Sequence, residues 1–113
     1  MSTNLLEHHC AEGAPALGDA AIAALAPQVP HWHVAGGRLL ERRFLFRDFH
    51  ETMEFVNALA WIVHRENHHP ELQVGYKHCG VAFTTHSAGN ALSLNDFICA
   101  ARIDALLAGR TPE

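Results

Sequence analysis

The run from about Phe49 to Asn67 constrains this fold more than any other stretch, because both of its ends are marked. Asp48-x-x-Glu51 is a capping box that opens a helix. Pro70 pushes the residue before it, His69, out of the helical region, so the helix must finish first. Phe49, Met53, Val56, Ala60 and Val63 recur at three- and four-residue steps and predict an apolar stripe that lies on a sheet. The last turn is expected to carry His64 and His68 at i and i+4 on one face, a spacing that suits a metal as well as a substrate. A protonated His64 would be favoured there by the helix dipole.

Strand patterns flank this helix on both sides. His31 to Ala35, the Gly36-Gly37 pair and Arg38 to Arg47 predict a hairpin with a primed two-residue turn. Its second strand sets Leu40, Phe44 and Phe46 on one face and Glu41, Arg43, Leu45 and Arg47 on the other. Trp32 is expected in the core, with His31 and His33 at the surface. After Pro70, Leu72, Val74 and Tyr76 alternate with polar residues and glycine, a turn falls at Lys77 and His78, and Cys79 to Thr85 makes the returning strand. A short helix from Asp19 to Ala26, N-capped by Asp19 and stopped by Pro27, precedes the first hairpin. Ser93-x-x-Asp96 caps a last helix whose face is Leu94, Phe97, Ile98, Ala101 and Ala105, and Gly109 ends it. The order is α-β-β-α-β-β-α, an α+β fold of two layers, with a four-stranded antiparallel sheet and helices on one face. The exposed sheet edges predict a homodimer or a homotetramer.

With 113 residues, 49% of them apolar and 18% charged, the chain suits one domain over 19–109, a flexible leader over 1–18 and a short tail over 110–113. A net charge of −4 disfavours nucleic acid and anionic membrane as partners. Cys10, Cys79 and Cys99 lack the spacing of zinc or redox pairs and are expected as free thiols in a reducing compartment. The first eighteen residues hold no Lys or Arg and no long apolar run, and no stretch is long enough to span a bilayer, so the cytoplasm is the expected location.

Three of the ten histidines flank the second hairpin: His68 and His69 where the helix ends, and His86 where the hairpin returns. A hairpin of that length brings its exit back beside its entrance, so a three-histidine pocket is easily formed. Imidazole titrates near neutral pH and serves as either acid or base.

The spacing of His64, His68-His69-Pro70, Tyr76, His86 and Asp96 resembles the active-site pattern of the pterin-4a-carbinolamine dehydratases. Similarity continues through Arg43 to Phe49 and from Asp96 to Asp104, roughly residues 32 to 107. The resemblance implies the same fold and a lyase that eliminates water from a 4a-hydroxytetrahydropterin, in support of an aromatic amino-acid hydroxylase. It implies His68, His69 and His86 as catalytic residues, and His64, Glu66, Pro70, Thr84, Thr85 and Asp96 around the pterin. It implies no cofactor and no metal. His64 stands where relatives commonly have Glu, Lys77 where Asn is usual, and the loop from Ser87 to Leu94 is one residue longer. Two rivals stand beside this reading: a metal enzyme built on His64, His68 and His86, and a dimerisation or assembly protein of the same fold that uses surfaces and not histidines.

Overall fold

The computed structural model describes residues 4–108. In chain order its elements are α1 (Asp19–Leu25), β1 (His33–Ala35), β2 (Leu39–Leu45), α2 (Phe49–Glu66), β3 (Glu71–Val74), β4 (His78–Phe83) and α3 (Leu94–Leu106). Short 3-10 turns occupy Leu5–Glu7, Ala26–Gln28 and His86–Ala88. The α-β-β-α-β-β-α order and the α+β class are those expected from the sequence. Asp19 is the first helical residue of α1 and Gly18 holds the cap position. Gly109, expected to end α3, lies outside the described residues.

The strands form one antiparallel sheet in the order β1-β2-β4-β3. Gly36 and Gly37 have φ of 59° and 70°, the left-handed pair that a primed hairpin turn requires. β2 and β4 pair at the centre, with Leu40 opposite Phe83 and Phe44 opposite Cys79. Leu40, Phe44, Cys79, Val81 and Phe83 are buried under the helices, whereas Arg43 and Leu45 are exposed on the other face. Both edge strands are short, β1 with three residues and β3 with four, which limits the unpaired backbone. The strand expected to reach Tyr76 stops at Val74; Val74 and Tyr76 are 45% and 68% exposed, and the turn falls at Gly75–Lys77.

Helix α2 is seated differently from the expected stripe. Its buried residues are Glu51, Thr52, Phe55, Leu59 and Val63. Phe49 is 47% exposed and stacks on Tyr76, and Ala60 is also exposed. The helix is apolar on several sides, so periodicity does not choose its face; the sheet does. The Phe55 ring lies 4.6 Å from that of Phe44 and 5.0 Å from that of Phe46, and burying such a side chain contributes about 1.5–3 kcal/mol. At the N-terminus Asp48 Oδ1 accepts from the Glu51 N–H, while Glu51 Oε1 accepts from the Arg47 N–H, one residue before the cap.

Helix α3 is buried nearly all round, including Asn95, Asp96, Phe97, Ile98, Cys99, Ala100, Ala101 and Ile103. The reason is the N-terminal segment, which was expected to be solvated. Parts of it pack on that helix, while His8 and His9 are exposed: Leu5, in the turn that contacts α3, is 1% exposed and its N–H donates to Gln28 Oε1 at 3.1 Å. Further along, Leu17 N–H donates to Leu92 O at 2.8 Å. On the sheet side, Trp32 is 7% exposed and its Nε1–H donates to Asp104 Oδ1 of α3 at 2.8 Å.

Candidate active site

Helix α2 ends on Asn67, whose φ of 52° is left-handed, and the His68 N–H then donates back to Val63 O. His68 has therefore left the helix, and His64 and His68 do not share a helical face. The His68 ring lies parallel to Phe83, with centroids 5.7 Å apart and planes inclined by 8°. Its Nε2 is 2.6 Å from Asp96 Oδ1.

Asp96 is fully buried, which is costly for a carboxylate unless its oxygens are satisfied. They are. Asp96 Oδ2 accepts from Thr85 Oγ1 at 2.8 Å and from the Ser93 N–H at 2.9 Å. The Thr85 hydroxyl gives its proton to Asp96, so Ser93 Oγ donates to Thr85 Oγ1 across 2.7 Å. The residue that completes the capping box of α3 is thus also the carboxylate that holds His68. An ionised carboxylate can only accept, so Nε2 of His68 carries the proton and, in the neutral ring, Nδ1 keeps the lone pair. That nitrogen has no hydrogen-bond partner among the described residues.

His68, His69 and His86 line one cleft of about 650 Å³, together with Glu66, Pro70, Thr84 and Thr85. His86 opens the 3-10 turn after β4, in a loop closed by the Thr85–Ala91 bridge and by left-handed Gly89 and Asn90, with φ of 76° and 59°. His86 Nδ1 lies 2.7 Å from Asn90 Oδ1; Nδ1–H donates to that amide oxygen, which leaves Nε2 as the nitrogen free to exchange a proton. His69 is exposed. Thr84 lines the cleft, and its Oγ1 is buried with no partner among the described residues.

His64 is exposed and does not line the cleft. Its separation from His68 and His86 removes the three-histidine metal site considered from the sequence; among the described residues no group of three His, Cys, Asp or Glu side chains is placed to hold a metal ion. Tyr76 also lies outside the cleft, in the β3–β4 turn. No local pattern marks the wall formed by Cys10, Ala11, Glu12 and Gly13. This strap is seated by Asn95, whose Oδ1 accepts from the Ala11 N–H at 3.0 Å and whose Nδ2 donates to Ala11 O at 2.9 Å. Glu66 holds its other side, accepting from the Cys10 N–H at 2.7 Å and lying 2.9 Å from His9 Nδ1. Burial alone would raise the Glu66 pKa, but the Cys10 N–H, His9 and Arg102 outweigh it and hold the carboxyl below its ordinary value. Its oxygens are thereby engaged by the strap.

The family described as Pterin 4 alpha carbinolamine dehydratase matches residues 15–106. A protein of Stenotrophomonas maltophilia (strain K279a) is 56% identical over 80% of this chain and 78% of its own length. One of Legionella pneumophila (strain Corby) is 50% identical over 95% of this chain and 98% of its own. Both bear the name "Putative pterin-4-alpha-carbinolamine dehydratase". Among solved structures, a transcriptional coactivator/pterin dehydratase from Brucella melitensis superposes with a TM-score of 0.76 at 25% identity, covering 80% of this chain and 97% of that one. A pterin dehydratase-like protein identified as a RuBisCO assembly factor in the alpha-carboxysome gives a TM-score of 0.57 at 28% identity, over 71% of this chain and 92% of that one. With its family match covering both hairpins, α2 and all of α3, this chain belongs to the pterin-4-alpha-carbinolamine dehydratase family.

Proposed function

We propose that this chain is a hydro-lyase that converts a 4a-hydroxytetrahydropterin into the quinonoid dihydropterin. The observation that carries this reading is the His68–Asp96 pair, set in one cleft with His69 and His86. The reaction removes the N5 proton, expels the C4a hydroxyl as water after that oxygen is protonated, and forms the C4a=N5 double bond. It needs an acid and a base close together at neutral pH.

We assign the base to His68. A histidine tethered to a buried carboxylate is held in one orientation, and the carboxylate stabilises the imidazolium formed when the ring takes a proton. His86, tethered only to a neutral amide, is the group we assign to deliver a proton to the departing hydroxyl, with His69 beside it. The Thr84 hydroxyl and the backbone beside it suit the amide-like edge of the pterin. Positioned proton transfer of this kind typically gives ~10²–10⁴ in rate, about 3–5 kcal/mol. No metal or cofactor enters this scheme, and the product would serve tetrahydropterin recycling for an aromatic amino-acid hydroxylase in the cytoplasm.

An assembly role is the second reading, favoured by the likeness to the RuBisCO assembly factor and by exposed apolar side chains such as Trp61 at 70% and Leu45 at 58%. Those side chains also fit a homodimer or homotetramer, in which copies of this chain cover one another. Assembly has no use for a histidine braced by a buried carboxylate. The test is to mix purified protein with hydroxylase-generated 4a-hydroxytetrahydropterin. Acceleration of quinonoid dihydropterin formation over buffer is expected, and a rate equal to buffer would refute the catalytic reading.

A further inference from the structure

The strap brings a second chemistry to the cleft wall. Cys10 Sγ lies 3.5 Å from Cys99 Sγ, and the same sulfur lies 3.5 Å from Asn95 O, one turn earlier on α3. Cys10 is half-buried and lines the cleft, whereas Cys99 is fully buried. The backbone that carries Cys10 is fixed on both sides, by Glu66 at its own N–H and by the Asn95 amide at Ala11. A disulfide needs its sulfurs at ~2.05 Å, and the two sulfurs already lie in contact at 3.5 Å. The third thiol, Cys79, is buried on β4 and has no thiol neighbour among the described residues.

We infer that Cys10 and Cys99 are an oxidisable dithiol site, in which a hydroperoxide reaching Cys10 through the cleft leads to a Cys10–Cys99 disulfide that locks the strap to α3. In the first step the Cys10 thiolate attacks the peroxide oxygen, giving the sulfenic acid and releasing hydroxide, or an alkoxide from an organic peroxide. The Cys99 sulfur then attacks the sulfenic sulfur, the S–S bond forms, and the oxygen leaves as water with the Cys99 proton. Sulfur is oxidised by two electrons and the peroxide is reduced by two. The hydrogen bond shared with Cys10, then burial, push the Cys99 thiol above its ordinary pKa, and Cys10 is the one that lines the cleft, which leaves Cys10 as the sulfur that meets the oxidant. This modification is independent of the pterin reading, although the strap it locks is a wall of the same cleft.

The test uses the full chain, hydrogen peroxide near stoichiometry, alkylation of the remaining thiols and peptide mapping under non-reducing conditions. The expected result is a Cys10–Cys99 linked peptide with Cys79 alkylated, and a melting temperature raised by roughly 5–15 °C that returns to its starting value with dithiothreitol. Cys79→Ser should form the same link. Cys10→Ser should form none and leave Cys99 unoxidised, and Cys99→Ser should leave Cys10 as a sulfenic or sulfinic acid. Recovery of Cys10 and Cys99 as free thiols, overoxidation of Cys10 beside a free Cys99, or a link through Cys79 would each overturn the inference.

Discussion

His68 Nε2 and Asp96 Oδ1 meet at 2.6 Å across 28 residues of sequence, and that contact ties the exit of α2 to the first turn of α3. It is a short, charge-assisted type of hydrogen bond, roughly twice the strength of a neutral one. The same carboxylate caps α3 and accepts from Thr85 at the exit of β4, so one buried side chain sets the mutual positions of three chain segments.

Asp96→Asn should therefore fold and yet lose function. An amide can bond to Ser93 and Thr85 but does not stabilise an imidazolium, so dehydration should fall at least ~10-fold in a stopped-flow assay. Asp96→Ala, by contrast, leaves the Ser93 N–H buried without a partner, takes from the Thr85 hydroxyl the oxygen it donates to, and removes half of the capping box. Urea denaturation should show it less stable by about 2–4 kcal/mol. Full turnover in the Asn variant would remove Asp96 from the mechanism.

His86 is exposed, and its side chain contributes little packing. His86→Ala should change folding stability by less than about 1 kcal/mol while slowing dehydration at least ~10-fold. Equal loss of stability and rate would mean that the residue is structural.

Glu66 supplies a pH-dependent term. Its folded pKa lies below its ordinary value, so its contribution is present above that ordinary value and lost as pH falls through the lower, folded pKa. Glu66→Gln should thus be less stable than the parent at pH 7, and the gap should narrow as the pH falls through the folded pKa and the parent's carboxyl takes up a proton. Denaturant midpoints across this range check this; a gap that widens on acidification contradicts the assigned partners.

Leu5→Ala should cost about 2–5 kcal/mol, the usual penalty for truncating a buried leucine. A solvated leader would give almost none. Thermal melting of the two proteins decides between these outcomes.

The parts of the fold legible in the sequence are those with local causes: the Gly36-Gly37 turn, the helix starts at Asp48 and Ser93, and the helix stop before Pro70. His68, His69 and His86 could be grouped because hairpin length governs where β4 returns. What could not be read depends on tertiary choice. Helix α2 carries apolar residues on more than one face, and Phe44 and Phe46 select Phe55 and Leu59 over Phe49 and Ala60. The expected pairing of His64 with His68 on one face fails at one residue, Asn67, whose left-handed backbone takes His68 off the helix. The strap was invisible because its bonds join residues far apart in sequence, Cys10 to Glu66 and Ala11 to Asn95, and no periodicity marks such contacts.

The most direct test of the histidine cleft compares the parent with a His68→Ala, His69→Ala, His86→Ala triple variant in stopped-flow dehydration of a 4a-hydroxytetrahydropterin. Circular dichroism would establish that both are folded. The account predicts a triple variant that is folded, with a rate at the uncatalysed background, while the parent exceeds background by at least ~10²-fold. A folded triple variant that turns over like the parent would contradict it.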